Sequence, residues 1–153
     1  TCDKLIDWLS QCSENKCKWV PQLKSCSYFK FHLKPESKFW QEVKRNIKNI
    51  SFTRLESWAS AGVPDLLCYN KKGSFFTVEL KVSKGKKATF SSHQFAFHMK
   101  HPRNTFILQK SLGPCTVKLY EGKDILELAQ RGSDLEPCAS GLDACGLWLE
   151  NVE

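Results

Sequence analysis

Acidic residues are missing where basic ones are most continuous. Between Lys81 and Lys118 the chain has no Asp or Glu, but it has eight Lys or Arg and three His. Residues 1–118 hold 21 basic against 8 acidic side chains, and residues 119–153 hold 2 against 8. The net charge of +7 therefore sits in the first part of the chain. A positive face of that kind suits a phosphate backbone, whose neutralisation releases counterions; the alternative is a solvated basic surface. Long apolar runs are also missing. Runs such as 66–69 and 75–78 are far too short to cross a bilayer, so no transmembrane helix is expected. No basic flank followed by an apolar stretch opens the chain, so no signal peptide is expected. The chain begins at Thr1 and not Met, as a trimmed or fragmentary sequence would. Repeats and low-complexity segments are absent. A composition of 41% hydrophobic and 25% charged residues excludes disorder for most of the chain. The 153 residues make one domain with a small appendage.

Paired C-x-x-C spacings are missing too, which removes the zinc-ribbon pattern. The eight cysteines are Cys2, Cys12, Cys17, Cys26, Cys68, Cys115, Cys138 and Cys145. Reduced thiols in a cytosolic protein are expected, with a structural zinc among the first four as the alternative. Cys68 lies in an apolar run and reads as a small hydrophobe.

Three regions are expected: a cysteine-rich basic extension over 1–34, a core over 35–132, and an acidic tail over 133–153 packed on that core. A short amphipathic helix is expected over 3–11. Phe39, Trp40, Val43, Ile47 and Ile50 recur at helical spacing over 36–50, after Pro35 at a helix start. Residues 52–58 alternate like a strand or an extended lead-in. Strands follow over 65–69 and 75–82, joined by turn chemistry at 70–73. Ser91 or Ser92 caps a helix running to Lys100. Further strands lie over 105–109 and 116–120. A helix over 124–130 stops at Gly132, and Leu147, Trp148 and Leu149 dock as a last helix. The order predicts an α/β fold with a mixed central sheet flanked by helices.

Acids are scarce before residue 119, so their placement is informative. Asp65 starts one strand. Glu79 and Lys81 lie on the next and, with a period of two, share a face opposite Val78, Leu80 and Val82. A hairpin brings the Asp65 carboxylate to Glu79. Burying like charges is costly unless a cation neutralises them. Mg²⁺ or Mn²⁺, with oxygen ligands and retained waters, fits that need. Asp65 and Glu79 are the expected ligands, with the Leu80 carbonyl a further one. Lys81 is placed to orient a water or take its proton. Lys84, Lys86 and Lys87, with Gly85, form a flexible basic loop that reads as a backbone clamp of low sequence specificity. Phe90, Phe95 and Phe97 stack on unpaired bases or, at helical spacing, join the core. His93, His98 and His101 are expected on the DNA-facing or solvent side, without zinc.

The segments 61–67, 76–81 and 91–94 together resemble the Pro-Asp … Glu-x-Lys pattern of the PD-(D/E)xK nuclease superfamily. They are closest to its VRR-NUC and phage Holliday-junction-resolvase-like branch. The resemblance covers about 36–109, with fourteen positions from Asp65 to Glu79. It implies a restriction-endonuclease-like core and a metal-dependent endonuclease that leaves 5′-phosphate ends on DNA. Branched or junction DNA is the implied substrate and a homodimer the implied assembly. The family places a glutamate on the first core helix, which implies Glu36; the alternative is a first-turn acid favoured by the helix dipole. An Arg-x-Glu before the Gly-x-Pro-Asp turn implies Arg54 beside the phosphate and Glu56 as an alternative metal ligand; a surface ion pair is the other reading. Gln94 implies a contact to the attacked phosphate or a water, and Ser91 a nucleic-acid contact.

Three other readings stay open. A restriction-type enzyme needs base-reading loops longer than those here. A viral cap-snatching RNA endonuclease uses an early histidine, for which His32 stands. A nucleic-acid-binding module would carry a dead site. The expected location is the host cytoplasm for a phage protein, or a nucleus or virus for a eukaryotic one.

Overall fold

The computed structural model describes residues 34–55 and 61–153. The expected first helix, the cysteines at 2, 12, 17 and 26, His32 and Glu56 lie outside the described residues. The chain divides at Leu33, and everything described belongs to the unit Lys34–Glu153.

Helix α1 spans Pro35–Asn46, with proline in its first turn and Lys44 and Arg45 in its last. Both ends suit the helix dipole and the missing proline N–H. It ends four residues before the expected limit of Ile50. Ile47 and Ile50 stay buried nonetheless, at 5% exposure each, so burial continues the helical spacing where the backbone does not.

Strands β1 (Ser51–Arg54), β2 (Leu66–Tyr69) and β3 (Phe75–Ser83) follow. The expected strand over 52–58 is realised only through Arg54, and 56–60 lie outside the described residues. Helix α2 (Ser92–Lys100) crosses from β3 to β4 (Thr105–Ser111). Then come β5 (Thr116–Glu121), α3 (Ile125–Arg131), the two-residue β6 (Ala139–Ser140) and α4 (Leu142–Glu150). One six-stranded sheet runs β1-β2-β3-β4-β5-β6 in sequence order. Every pairing is antiparallel except β3 with β4, the pair joined through α2. This is the expected α/β class, a mixed sheet with flanking helices.

Strand alternation sends two sets of side chains to two helical layers. Leu66, Cys68, Phe76, Val78, Leu80, Phe106 and Leu108 meet Phe39, Trp40 and Val43 of α1 and Cys145 and Leu149 of α4. Ile107 and Tyr120 meet Ile125 and Leu128 of α3 and Phe95 of α2. Residues 133–153 thus supply the sixth strand and a helix whose Leu149 and Cys145 are fully buried. Among the described residues no helix is long and apolar enough to cross a membrane.

The β2–β3 turn is built around Asn70, only 1% exposed. Its Oδ1 accepts from the main-chain N–H of Lys72 and of Ser74, and Gly73 takes φ +87°. Its Nδ2 donates to the carbonyls of Leu149 (3.2 Å) and Val152 (2.8 Å). A single side chain therefore closes the hairpin and holds the end of α4.

Candidate active site

The hairpin register sets the site. Leu66 faces Val78, so Asp65 stands one step on, opposite Glu79. Asp65 Oδ2 accepts from the main-chain N–H of Leu80 at 2.8 Å. The turn before it is tight against α2. Gly62 has φ +86°, and a Cβ there would lie 2.4 Å from the His93 carbonyl oxygen. Only glycine allows that approach at that dihedral.

Glu79 is 3% exposed and on the face opposite Val78 and Leu80. Its Oε1 accepts from Gln94 Nε2 and lies 3.4 Å from Lys81 Nζ. Lys81 Nζ also donates to Gln94 Oε1 at 3.0 Å and stands 5.3 Å from the centre of the Phe90 ring. Gln94 therefore ties the acid to the base. It is positioned by a capping box at the start of α2. Its main-chain N–H donates to Ser91 Oγ, and its own Oε1 accepts from the Ser91 N–H. Ser91, expected as a nucleic-acid contact, has its hydroxyl engaged as this cap.

Burial and the neighbouring Asp65 push the Glu79 carboxyl up to about 7, against the opposing pull of Lys81. Burial raises Asp65 as well; the Leu80 N–H, Lys81 and Arg54 lower it, and Glu36 raises it. The two carboxyls thus share a largely desolvated site in which Asp65 opposes ionisation of Glu79. Glu36 and Arg54 act on Asp65 through space, which brings both expected residues to its surroundings. Glu42 does not join them; it pairs with Lys110.

The donor chemistry can be tested against a hard divalent ion. Among the described residues no group of three or more His, Cys, Asp or Glu is gathered to hold a metal. Mg²⁺ needs only one or two carboxylates, because it keeps most of its waters. A buried Glu79 beside a half-buried Asp65 whose charge opposes its ionisation fits that requirement. Asp65 and Glu79 would hold the ion, with Glu36 a nearby acid whose charge acts on Asp65. The Leu80 main chain enters the site through its N–H on Asp65.

The basic loop differs from expectation. Its backbone is pinned: the Lys86 carbonyl accepts from the Ser133 N–H (2.8 Å) and from Gln109 Nε2 (3.1 Å). The Lys84, Lys86 and Lys87 side chains remain exposed, and Lys86 pairs with Asp134 at 3.0 Å. Such an exposed pair is worth little, so all three ammonium groups are available to a polyanion.

The histidine expectation needs one correction. His93 and His101 are exposed, but His98 is fully buried, and neither ring nitrogen has a hydrogen-bond partner. α2 turns this residue toward Gly122, where a Cβ would lie 2.4 Å from its Nδ1. Burial, with His101 and Lys81 nearby, pulls its pKa down to about 4. The Ser91 cap matches the expectation of a serine cap at 91 or 92, whereas the role of Phe90 under Lys81 escaped the sequence reading. The Ser-x-x-Gln spacing at 91–94 is the signal for the reciprocal bond from Gln94 that completes the box. No family model matches the chain, and the search of curated proteins finds no match.

Proposed function

We propose that this chain is a Mg²⁺- or Mn²⁺-dependent endonuclease that hydrolyses phosphodiester bonds in branched DNA and leaves 5′-phosphate ends. The observation that carries the reading is the apposition of Asp65 and Glu79 across the β2–β3 hairpin, with Lys81 Nζ 3.4 Å from Glu79. When bound, the ion would supply Lewis-acid stabilisation of charge on the phosphate and a water acidic enough to attack it. The chain's own groups do the rest. Asp65 and Glu79 hold charge that a cation offsets. Gln94 fixes the carboxylate and ammonium relative to each other. Lys81, stacked on Phe90, presents a positive charge where the phosphorane would gain negative charge. Exposed Lys84 and Lys87 steer the backbone without reading bases.

The test is cleavage of labelled four-way junction, flap, linear duplex, single-stranded DNA and single-stranded RNA with either metal. Cutting of the branched DNAs that Lys81→Ala abolishes is expected. Binding without cutting by the wild type refutes the enzyme and leaves a binding module.

A further inference from the structure

Helix α2 packs against the sheet face that carries Glu79, and part of the β2–β3 hairpin is open to solvent. On that open part Phe75 is 61% and Tyr69 42% exposed. These two face each other in the β2–β3 register, with ring centres 4.5 Å apart. Phe75 and Thr77 share a face with Glu79 by strand alternation. Across a cleft of about 210 Å³ lie Phe97 and His101 of α2 and its cap, with ring centres 4.6 Å apart. Arg103 also lines this cleft, and so does Thr77, whose buried Oγ1 has no hydrogen-bond partner.

Large aromatic side chains left in water need a reason. The surroundings favour an anionic occupant: His101 and Arg103 line the cleft, and no acid occurs between Lys81 and Lys118. A surface that sets exposed rings beside cations matches single-stranded nucleic acid, where bases stack on aromatics and the backbone meets positive charge. Duplex DNA keeps its base faces inside the stack and cannot use the rings.

We propose that Tyr69, Phe75, Phe97 and His101 form a stacking shelf for unpaired bases next to the cleavage site. Phe75 precedes Glu79 by four residues of strand, about 13 Å at about 3.3 Å per residue. That leaves room for more than one nucleotide of an unpaired strand between the shelf and Glu79. The substrate class is then DNA with an unpaired segment, such as a flap or splayed arm, entered from its single strand. The inference rests on the nuclease reading for the path of the strand toward Glu79.

The test is equilibrium binding by the full chain in chelator, with labelled oligothymidylate, oligouridylate and a linear duplex. Phe75→Ala is expected to weaken oligothymidylate binding roughly 5- to 150-fold, the range of one lost base stack, and to leave duplex binding little changed. Phe75→Trp is expected to keep single-strand affinity. An equal loss on oligouridylate also supports the shelf, because base faces are common to both. Unchanged oligothymidylate binding, or an equal loss on the duplex, overturns it. So does a Phe75→Ala protein that loses only self-association, since the rings would then serve a second copy of the chain. Phe75-dependent single-strand binding in a protein that cuts nothing removes the nuclease reading and keeps the shelf. Metal-dependent cutting with Phe75-independent binding does the reverse.

Discussion

Replacing Glu79 with glutamine removes a charge that the fold has buried without removing its hydrogen bonds. Glutamine keeps an oxygen for Gln94 and Lys81. The carboxyl's ordinary value is 4.5, and in the folded chain it is pushed up to about 7. Between those values the folded chain holds a proton that the unfolded chain releases. The stability tied to Glu79 is therefore full below pH 4.5 and is lost as pH rises through about 7. At about 1.4 kcal/mol per tenfold, the ionised side chain costs the metal-free fold roughly 3 kcal/mol at pH 8. His98 acts with the opposite sign. Its ordinary value of 6.5 falls to about 4 in the fold, so the stability tied to it is present above 6.5 and is lost as pH falls through about 4. In the wild type the two slopes overlap and offset each other. The expected result in urea with chelator is a Glu79→Gln protein more stable than wild type at pH 8 by about 1–3 kcal/mol. The lower figure allows for Lys81 losing its ionic partner. Below pH 4.5 the two proteins converge. The variant's stability climbs between pH 4 and 6.5, while the wild type's stays nearly level. Added Mg²⁺ stabilises the wild type by mass action and leaves the variant unmoved. A Glu79→Gln protein that is less stable than wild type at pH 8, with the same pH profile, refutes the reasoning.

Asn70→Ala removes four hydrogen bonds from a buried site; urea unfolding is expected to show a loss of roughly 2–4 kcal/mol. Gly62→Ala sets a Cβ against the His93 carbonyl at positive φ; a loss of at least about 2 kcal/mol is expected, with cleavage falling further because Asp65 follows the turn. Lys84→Ala and Lys87→Ala are each expected to weaken DNA binding evenly across sequences. Each should also lower the salt dependence of log affinity by about one, read by titration at several salt concentrations.

The sheet's strands were legible because their cues are local. Alternation, the 70–73 turn and the Ser91 cap each fall within a few residues. Asp65, Glu79 and Lys81 were legible for the same reason, since one hairpin contains all three. What the sequence hid depends on distant partners. Asn70 looked like a turn residue, but half of its bonds reach the chain's other end, 79 and 82 positions away. Residues 133–153 looked like an acidic tail because β6 has only two residues, too few for a period. His98 looked polar and outward because α2 carries hydrophobic and polar residues on every side, so its sequence does not say which side packs. The pinned Lys86 backbone depends on Gln109 and on Ser133 beside Gly132, which no spacing near Lys86 reveals.

Strand order that follows sequence order has a kinetic consequence. Four of the five pairings join strands that meet antiparallel, and only β3 with β4 needs a crossover, from Ser83 to Thr105. Hairpins close in microseconds, whereas non-local pairing waits on loop entropy. Asp65 and Glu79 are thus brought together in a local hairpin, while Gln94 reaches Glu79 only after the crossover. The chain must assemble its repulsive pair before the group that restrains it arrives. Refolding of the wild type in chelator is therefore expected to slow as pH rises from 5 to 8, and Glu79→Gln to show no such slowing.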